Sequence, residues 1–359
     1  MQPEPLSGIE AVTPAVEHVK KKLFQPFRWR LWWRLSLLGL LTGEFGMGSG
    51  GGGNIDIPLP SDFPRDDKKD FLQYFAGERD VAGLMAQWLP WVVLSVVVLL
   101  VLGLLWIYVS SVFRFVLLET VLHGRCELRA GWRRWRRQGR SFFWWQIGFS
   151  LVALLVTGVV VGVPLLIGAA LGVLQNPAEH MALVILGSLG LFFVATAVVI
   201  TNLVIWVFSK DFVLPIMALE DTGALEGWRR FTPLLKAEKG AYAVYVLMKA
   251  VLAVAAAILF GIINLVVILI LLIPLGIAGA ALGMAGMAAG LTWNLLTIGA
   301  VVVVGGILLL ALFWLVALIA TPGLFFFQSY TLHFFASRYA RVGAILFPPP
   351  PQPVESLNQ

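Results

Sequence analysis

The chain alternates between long runs almost free of polar side chains and short stretches crowded with arginine and tryptophan. Residues 88–108 hold no charge, with Ser95 breaking an otherwise apolar and aromatic run. Residues 144–174 and 181–208 repeat the pattern, joined by the short turn 175–180. Residues 242–273 run up to Pro274, and residues 292–320 run up to Thr321-Pro322-Gly323. About 20 apolar residues suffice to cross a bilayer as a helix, so each run predicts a span. Residues 31–48 form a sixth, weaker one. Only nine residues separate Arg34 from Glu44, about 15 Å of helix at 1.5 Å per residue and half a hydrocarbon core. Residues 276–290, rich in Gly, Ala and Met, read as a helix-packing or re-entrant segment.

Composition agrees with the pattern. Of 359 residues, 59% are apolar and 13% charged, against about 45–50% and about 25% in soluble domains. The 88 residues from Ala250 to Ser337 contain no Asp, Glu, Lys or Arg. An ordinary soluble enzyme, a disordered chain and a disulfide-stapled module are excluded, since Cys126 is the single cysteine. The fold class is an all-α integral membrane protein, with about six transmembrane helices and basic amphipathic cytoplasmic helices.

The net charge of +6 matters less than its placement. Residues 114–140 carry eight arginines against Glu119 and Glu127, while the loop 44–87 carries four basic residues against eight acidic ones. Counted by side, 21 Lys and Arg fall on one face and four on the other, with Lys249 inside a span. The positive-inside rule assigns the rich face, and both termini, to the cytoplasm of a cell membrane. An even number of crossings follows, and six is the simplest. This placement points to the anionic leaflet as partner and away from nucleic acid. Trp29, Trp32, Trp33, Trp132, Trp135, Trp144, Trp145 and Trp228 mark the basic interface, as amphipathic indoles do.

Three regions follow: an N-terminal segment, 1–26, with a basic amphipathic helix; a polytopic membrane domain, 27–340, with an outer loop at 49–87; and a Pro-rich flexible tail, 341–359. The glycine-rich stretch 47–53 lacks a P-loop ending and reads as a hinge. Gly131-Trp132-Arg133-Arg134-Trp135 recurs as Gly227-Trp228-Arg229-Arg230-Phe231. Arg114-Phe115-Val116 parallels Asp211-Phe212-Val213, and Ala15-Val16-Glu17 lines up with Ala224-Leu225-Glu226. Two readings stand: a threefold repeat of helix plus hairpin, or the common composition of positive-inside loops.

The stretch 132–143 interleaves Arg133, Arg134, Arg136, Arg137 and Arg140 with Trp and Phe, which predicts a helix lying in the interface with guanidinium groups among phosphates. Each basic residue beside an anionic leaflet contributes about 1 kcal/mol. These arginines, with Arg229 and Arg230, are headgroup candidates; the plainer reading is that they fix topology. Lys249 is an intramembrane charge and so a functional candidate, with Asp211, Glu220 and Asn202 as partners, although its stem also allows it to snorkel. Asn202 and Asn264 read as interhelical hydrogen-bonding groups. Gly158/Gly162, Gly168/Gly172 and Gly286/Gly290 have the spacing of close helix packing. His18, His123, His180 and His333 are scattered, and no catalytic constellation, metal motif or cofactor motif stands out.

The stretches Lys210-Asp211-Phe212-Val213-Leu214-Pro215-Ile216-Met217 and Gly223-Ala224-Leu225-Glu226-Gly227-Trp228-Arg229-Arg230 resemble an uncharacterised family of prokaryotic membrane proteins. That family is similar to the membrane-embedded domain of some bacterial glycerophosphodiester phosphodiesterases. The resemblance covers about residues 15–340 on soft, apolar motifs. It does not extend to the catalytic domain: His123-Gly124-Arg125 differs in order from the His-Arg-Gly opening. The resemblance implies a prokaryotic cell-membrane location and no carried-over activity. The expected function is non-enzymatic membrane organisation, or lipid or partner binding through the basic helices. A transporter or channel is the alternative, and a lipid-modifying enzyme ranks third.

Overall fold

The computed structural model describes residues 5–44, 81–173, 179–290 and 295–347, which are helical without a strand. The elements are α1 (Val12–Leu23), α2 (Trp29–Thr42), α3 (Val81–His123), α4 (Leu128–Ala170), α5 (Met181–Phe208), a π-helical turn (Ser209–Val213), α6 (Leu214–Glu220), α7 (Ala224–Ala237), α8 (Lys239–Ala288), α9 (Leu295–Ala336) and α10 (Ala340–Leu346). Among the described residues five helices, α3, α4, α5, α8 and α9, are long and apolar enough to cross a membrane.

Each is longer than a crossing requires. At 43 residues, α3 extends about 65 Å, roughly twice a hydrocarbon core. One end of every span is packed into a single base. Phe115, Val116 and Leu118 of α3, Phe142 of α4, Phe208 of α5, Phe212 and Val213 of the π turn, Tyr242 and Tyr245 of α8, and Tyr330, Phe334 and Phe335 of α9 are all buried there. Basic residues lie in or beside these helix ends, Arg114 and Arg140 in α3 and α4, Lys210 and Arg338 just after α5 and α9, and Lys239 at the start of α8. Phe212 is the hub, its ring 5.0 Å from Tyr245, 5.1 Å from Tyr242, 5.2 Å from Phe231 and 5.3 Å from Phe335. Beyond the base the helices present apolar side chains outward. None of the most apolar 18-residue window is buried in four of them, and 6% is in α9. In α3 the exposed apolar band runs from Trp88 to Trp106, about 28 Å and so close to hydrocarbon thickness. Lipid tails are as apolar as Leu, so these segments gain little by packing together. The base excludes water and packs by the hydrophobic effect.

Several sequence expectations change. The predicted span 31–48 is represented among the described residues by α2, which has 14 residues, about 21 Å. Its Leu31, Leu35 and Leu38 are buried in the base. Hydropathy cannot tell a run that meets lipid from one that meets protein. The stretch 132–143 is not a separate in-plane helix; it is the basic end of α4, continuous with the span. Residues 276–290 are not re-entrant, because α8 runs through Pro274 to Ala288. Likewise α9 runs through Pro322 to Ala336. One proline removes one ladder bond, and exposure to lipid keeps every other backbone group in the helix. The tail begins as α10, whose Val342 is buried. The stretch 47–53, most of the loop 49–87 and residues 348–359 lie outside the described residues.

Close helix packing occurs in the base, not at the expected pair Gly158/Gly162. A Cβ on Gly158 or Gly162 would meet nothing within 4 Å, whereas one on Gly139 would lie 2.5 Å from Val112 Cγ2. Gly131 sits against Val116 and Gly227 against Val213, each at 2.8 Å for the same construction. Trp135 stacks on Phe115 at 5.7 Å and Phe231 on Phe212 at 5.2 Å.

Candidate functional site

Five ionisable side chains meet where the apolar bands reach the base. The sequence breaks into a π-helical turn at Ser209–Val213, a wide turn of the kind often found at functional sites. It carries the adjacent Lys210 and Asp211 to two different partners. Lys210 Nζ pairs with Glu44 just beyond α2, and Asp211 pairs with Lys249 of α8. The Tyr245 hydroxyl donates to Asp211 Oδ2 at 2.8 Å and lies 2.7 Å from Thr331 Oγ1. Arg114 of α3 completes the group, its Nε 3.8 Å from Glu44 Oε1 and its Cζ 5.0 Å from the Trp206 ring centroid.

The end of α2 is built into this cluster. Gly43 adopts φ +70° and terminates the helix. Thr42 O accepts from Ser110 Oγ at 2.9 Å and from Arg114 Nη2 at 3.3 Å. A cation beside the last carbonyls of a helix is stabilised by the helix dipole. The cluster holds Arg114, Lys210 and Lys249 against Glu44 and Asp211, a surplus of one positive charge. Arg114 Nε and Nη1 are buried without a hydrogen-bond partner. Such a group, held by Coulomb attraction and surrounded by protein, is costly to break from either side. It fixes α2, α3, the π turn and α8 relative to one another.

Sequence reasoning offers Lys249 three partners, Asp211, Glu220 and Asn202, and the structure brings it to Asp211. It had counted Glu44 as a loop acid and Arg114 as a topological charge. Their contacts span 166 positions for Glu44 with Lys210 and 72 for Thr42 with Arg114, beyond any local spacing signal. Glu220 pairs instead with Arg230 and accepts from the Tyr339 hydroxyl. Asn202 and Asn264 do not act as expected. Among the described residues Asn264 Oδ1 is buried without a partner, and no side-chain hydrogen bond joins Asn202 to a neighbouring helix.

The arginine candidates divide by role. Arg134 is engaged by Glu119, which also accepts from Trp135 Nε1 at 2.6 Å. Arg137 lies 3.7 Å from Asp221, and Arg230 Nε is 3.1 Å from Glu226. Arg229 reaches Glu226 at 3.9 Å. Arg133, Arg136 and Arg140 are exposed and have no carboxylate within ion-pair distance among the described residues. Their spacing of three and four puts them on one face of α4. Gly131, Gln138, Gly139, Phe142 and Gln146 are buried on the other.

A family model spans nearly all of this architecture, from residue 6 to residue 345. The chain belongs to a family of unknown function, DUF7544. The match takes in α1 through α9, all but the last residue of α10, and every residue of the ion cluster. No curated protein and no solved structure matches the chain. Among the described residues no group of three or more His, Cys, Asp or Glu is placed to hold a metal ion.

Proposed function

We propose that this DUF7544 protein is a non-enzymatic, lipid-binding protein of a prokaryotic cell membrane, with its arginine-bearing base and both termini on the cytoplasmic side. The observation that carries the reading is the outer face of α4. Arg133, Arg136 and Arg140 stand exposed, without carboxylate partners among the described residues, beside the exposed Trp144, where the apolar band begins. Guanidinium groups at that depth meet lipid phosphates, and the indole marks the headgroup level. The clustered charges lie at the basic end of the band, an arrangement that favours anchoring and headgroup binding over a polar path through the bilayer. Six crossings, with α2 counted as one that packs on protein rather than on lipid, similarity to the phosphodiesterase membrane domain and a repeated helix-plus-hairpin plan belong to the same proposal. The repeat is supported by two equivalent pairings: Gly131 on Val116 with Trp135 on Phe115, and Gly227 on Val213 with Phe231 on Phe212.

Native mass spectrometry of the full chain in mild detergent tests the proposal. Replacing Arg133, Arg136 and Arg140 together by Gln is expected to reduce the anionic share of co-purified phospholipid while leaving the melting temperature in place. An unchanged lipid composition at an unchanged melting temperature would overturn it.

A further inference from the structure

A second basic feature lies on the base, away from the α4 face. A cleft of about 510 Å3 opens between the start of α2 and the turn joining α3 to α4. Arg28, Arg30 and Arg34 line one wall, and Arg125, Cys126 and Glu127 the other. The four arginines are exposed, and none has a carboxylate within ion-pair distance among the described residues. Elsewhere on the base the exposed arginines are often paired, as Arg134, Arg137 and Arg230 are. Here four guanidinium groups converge on a concavity with one acid, Glu127. Such a concentration of positive charge around a concavity raises the local concentration of anions.

The walls are fixed. Arg34 Nη1 donates to Cys126 O at 2.9 Å, bridging them. Gly124 turns the chain with φ +69°, and a Cβ there would lie 3.6 Å from Lys22 Nζ, so a fifth cation stands at the rim. The N-cap of α2 is Arg28 and its first turn holds no acidic residue, so the positive end of that helix is left toward the cleft, whereas the N-cap of α4 is Glu127, the one carboxylate on the lining. On the lining Trp29 is exposed, and the exposed Phe27 ring lies 6.3 Å from it, as aromatic side chains at a membrane boundary are.

We infer that this cleft binds the phosphate of an anionic glycerophospholipid headgroup, gripped by Arg28, Arg30 and Arg125 and closed by Arg34. The inference rests on the lipid-binding reading above and gives it a discrete site. The planar guanidinium presents paired N–H groups that match two phosphate oxygens. The volume accommodates a glycerophosphate headgroup. The same chemistry would take a soluble phosphate ester, and the exposed aromatic mouth favours the lipid.

The test uses the full chain in detergent, with phosphatidylglycerol, phosphatidylcholine and glycerol phosphate as probes. Native mass spectrometry counts retained lipid, and the melting temperature reports binding. Wild-type protein is expected to keep one phosphatidylglycerol that phosphatidylcholine does not replace. R28Q/R125Q is expected to lose it about tenfold or more, at roughly a factor of ten per 1.4 kcal/mol. R133Q/R136Q/R140Q is expected to keep that one lipid while losing the looser anionic population, which separates failure of the cleft from failure of the α4 face. Equal retention by R28Q/R125Q at an unchanged melting temperature overturns the inference. Should that variant not fold, the wild-type measurement decides. Preferential stabilisation by phosphatidylglycerol supports the site, and an equal response to phosphatidylcholine overturns it. Displacement of the lipid by millimolar glycerol phosphate would assign the site to a soluble ester and overturn the lipid.

Discussion

Lys249 Nζ and Asp211 Oδ2 form an ion pair between α8 and the π-helical turn, 38 positions apart in the chain. Asp211 is 1% exposed and Lys249 16%, so neither charge can turn to water when the other is removed. Asp211→Asn is therefore expected to destabilise the protein by about 3–5 kcal/mol, the usual effect of leaving one buried charge unpaired. Asp211→Asn combined with Lys249→Met is expected to cost less than the sum of the two single changes. Thermal melts of the four proteins in one detergent provide the cycle. Additive losses would show that the pair carries no coupling.

Glu44 compensates two cations, Lys210 and Arg114. Glu44→Gln is expected to be at least as damaging as Asp211→Asn, because it leaves the local charge at plus two beside the end of α2. The readout is proteolysis of the N-terminal segment. Release of α2 from the base should accelerate cleavage between residues 28 and 44, and an unchanged cleavage pattern would remove the anchoring role from Glu44.

Two glycines in one helix make opposite predictions. A Cβ on Gly139 would lie 2.5 Å from Val112 Cγ2 and 2.9 Å from its backbone Cα, while one on Gly158 would meet nothing within 4 Å. Gly139→Ala is expected to cost about 1–3 kcal/mol through overpacking of α3 against α4. Gly158→Ala is expected to be neutral or mildly stabilising, since Ala is the better helix former. Comparing the two melting temperatures checks both.

Which segments meet lipid was largely legible from the sequence, because an uncharged run such as 88–108 has few other uses. The basic face of α4 was legible too, its arginines and aromatics alternating at helical spacing. What stayed hidden was burial by protein. The run 31–48 has a span's composition, yet Leu31, Leu35 and Leu38 pack into the base, and apolarity alone does not distinguish those surroundings. Glu44 and Arg114 were hidden for a related reason. Each looks like an ordinary loop or topology charge until the fold closes distances of many tens of residues. The proline positions misled in the other direction, since Pro274 and Pro322 end helices in water more readily than in lipid.

His18 makes the base sensitive to acid. Its ring stacks on Phe325 at 5.8 Å and meets the edge of His333 at 5.3 Å, with Nε2 3.2 Å from Val121 O. Burial is the main cause that lowers its pKa from the ordinary 6.5, and the nearby His333, Lys22 and Lys21 push the same way against the carbonyl of Val121. The folded protein therefore holds His18 neutral at pH values where the unfolded chain has taken up a proton. Protons bound by the unfolded state favour unfolding, so the stability due to this residue is complete above pH 6.5 and falls as the pH drops below it. Melting temperatures measured from pH 8 to pH 5 are expected to decline more steeply in the wild type than in His18→Gln, with the difference opening below pH 6.5. Loss of α1 from α9 should accompany the decline, read as faster proteolysis of residues 5–23 at pH 5 than at pH 8. Parallel melting curves for the two proteins would take His18 out of the account.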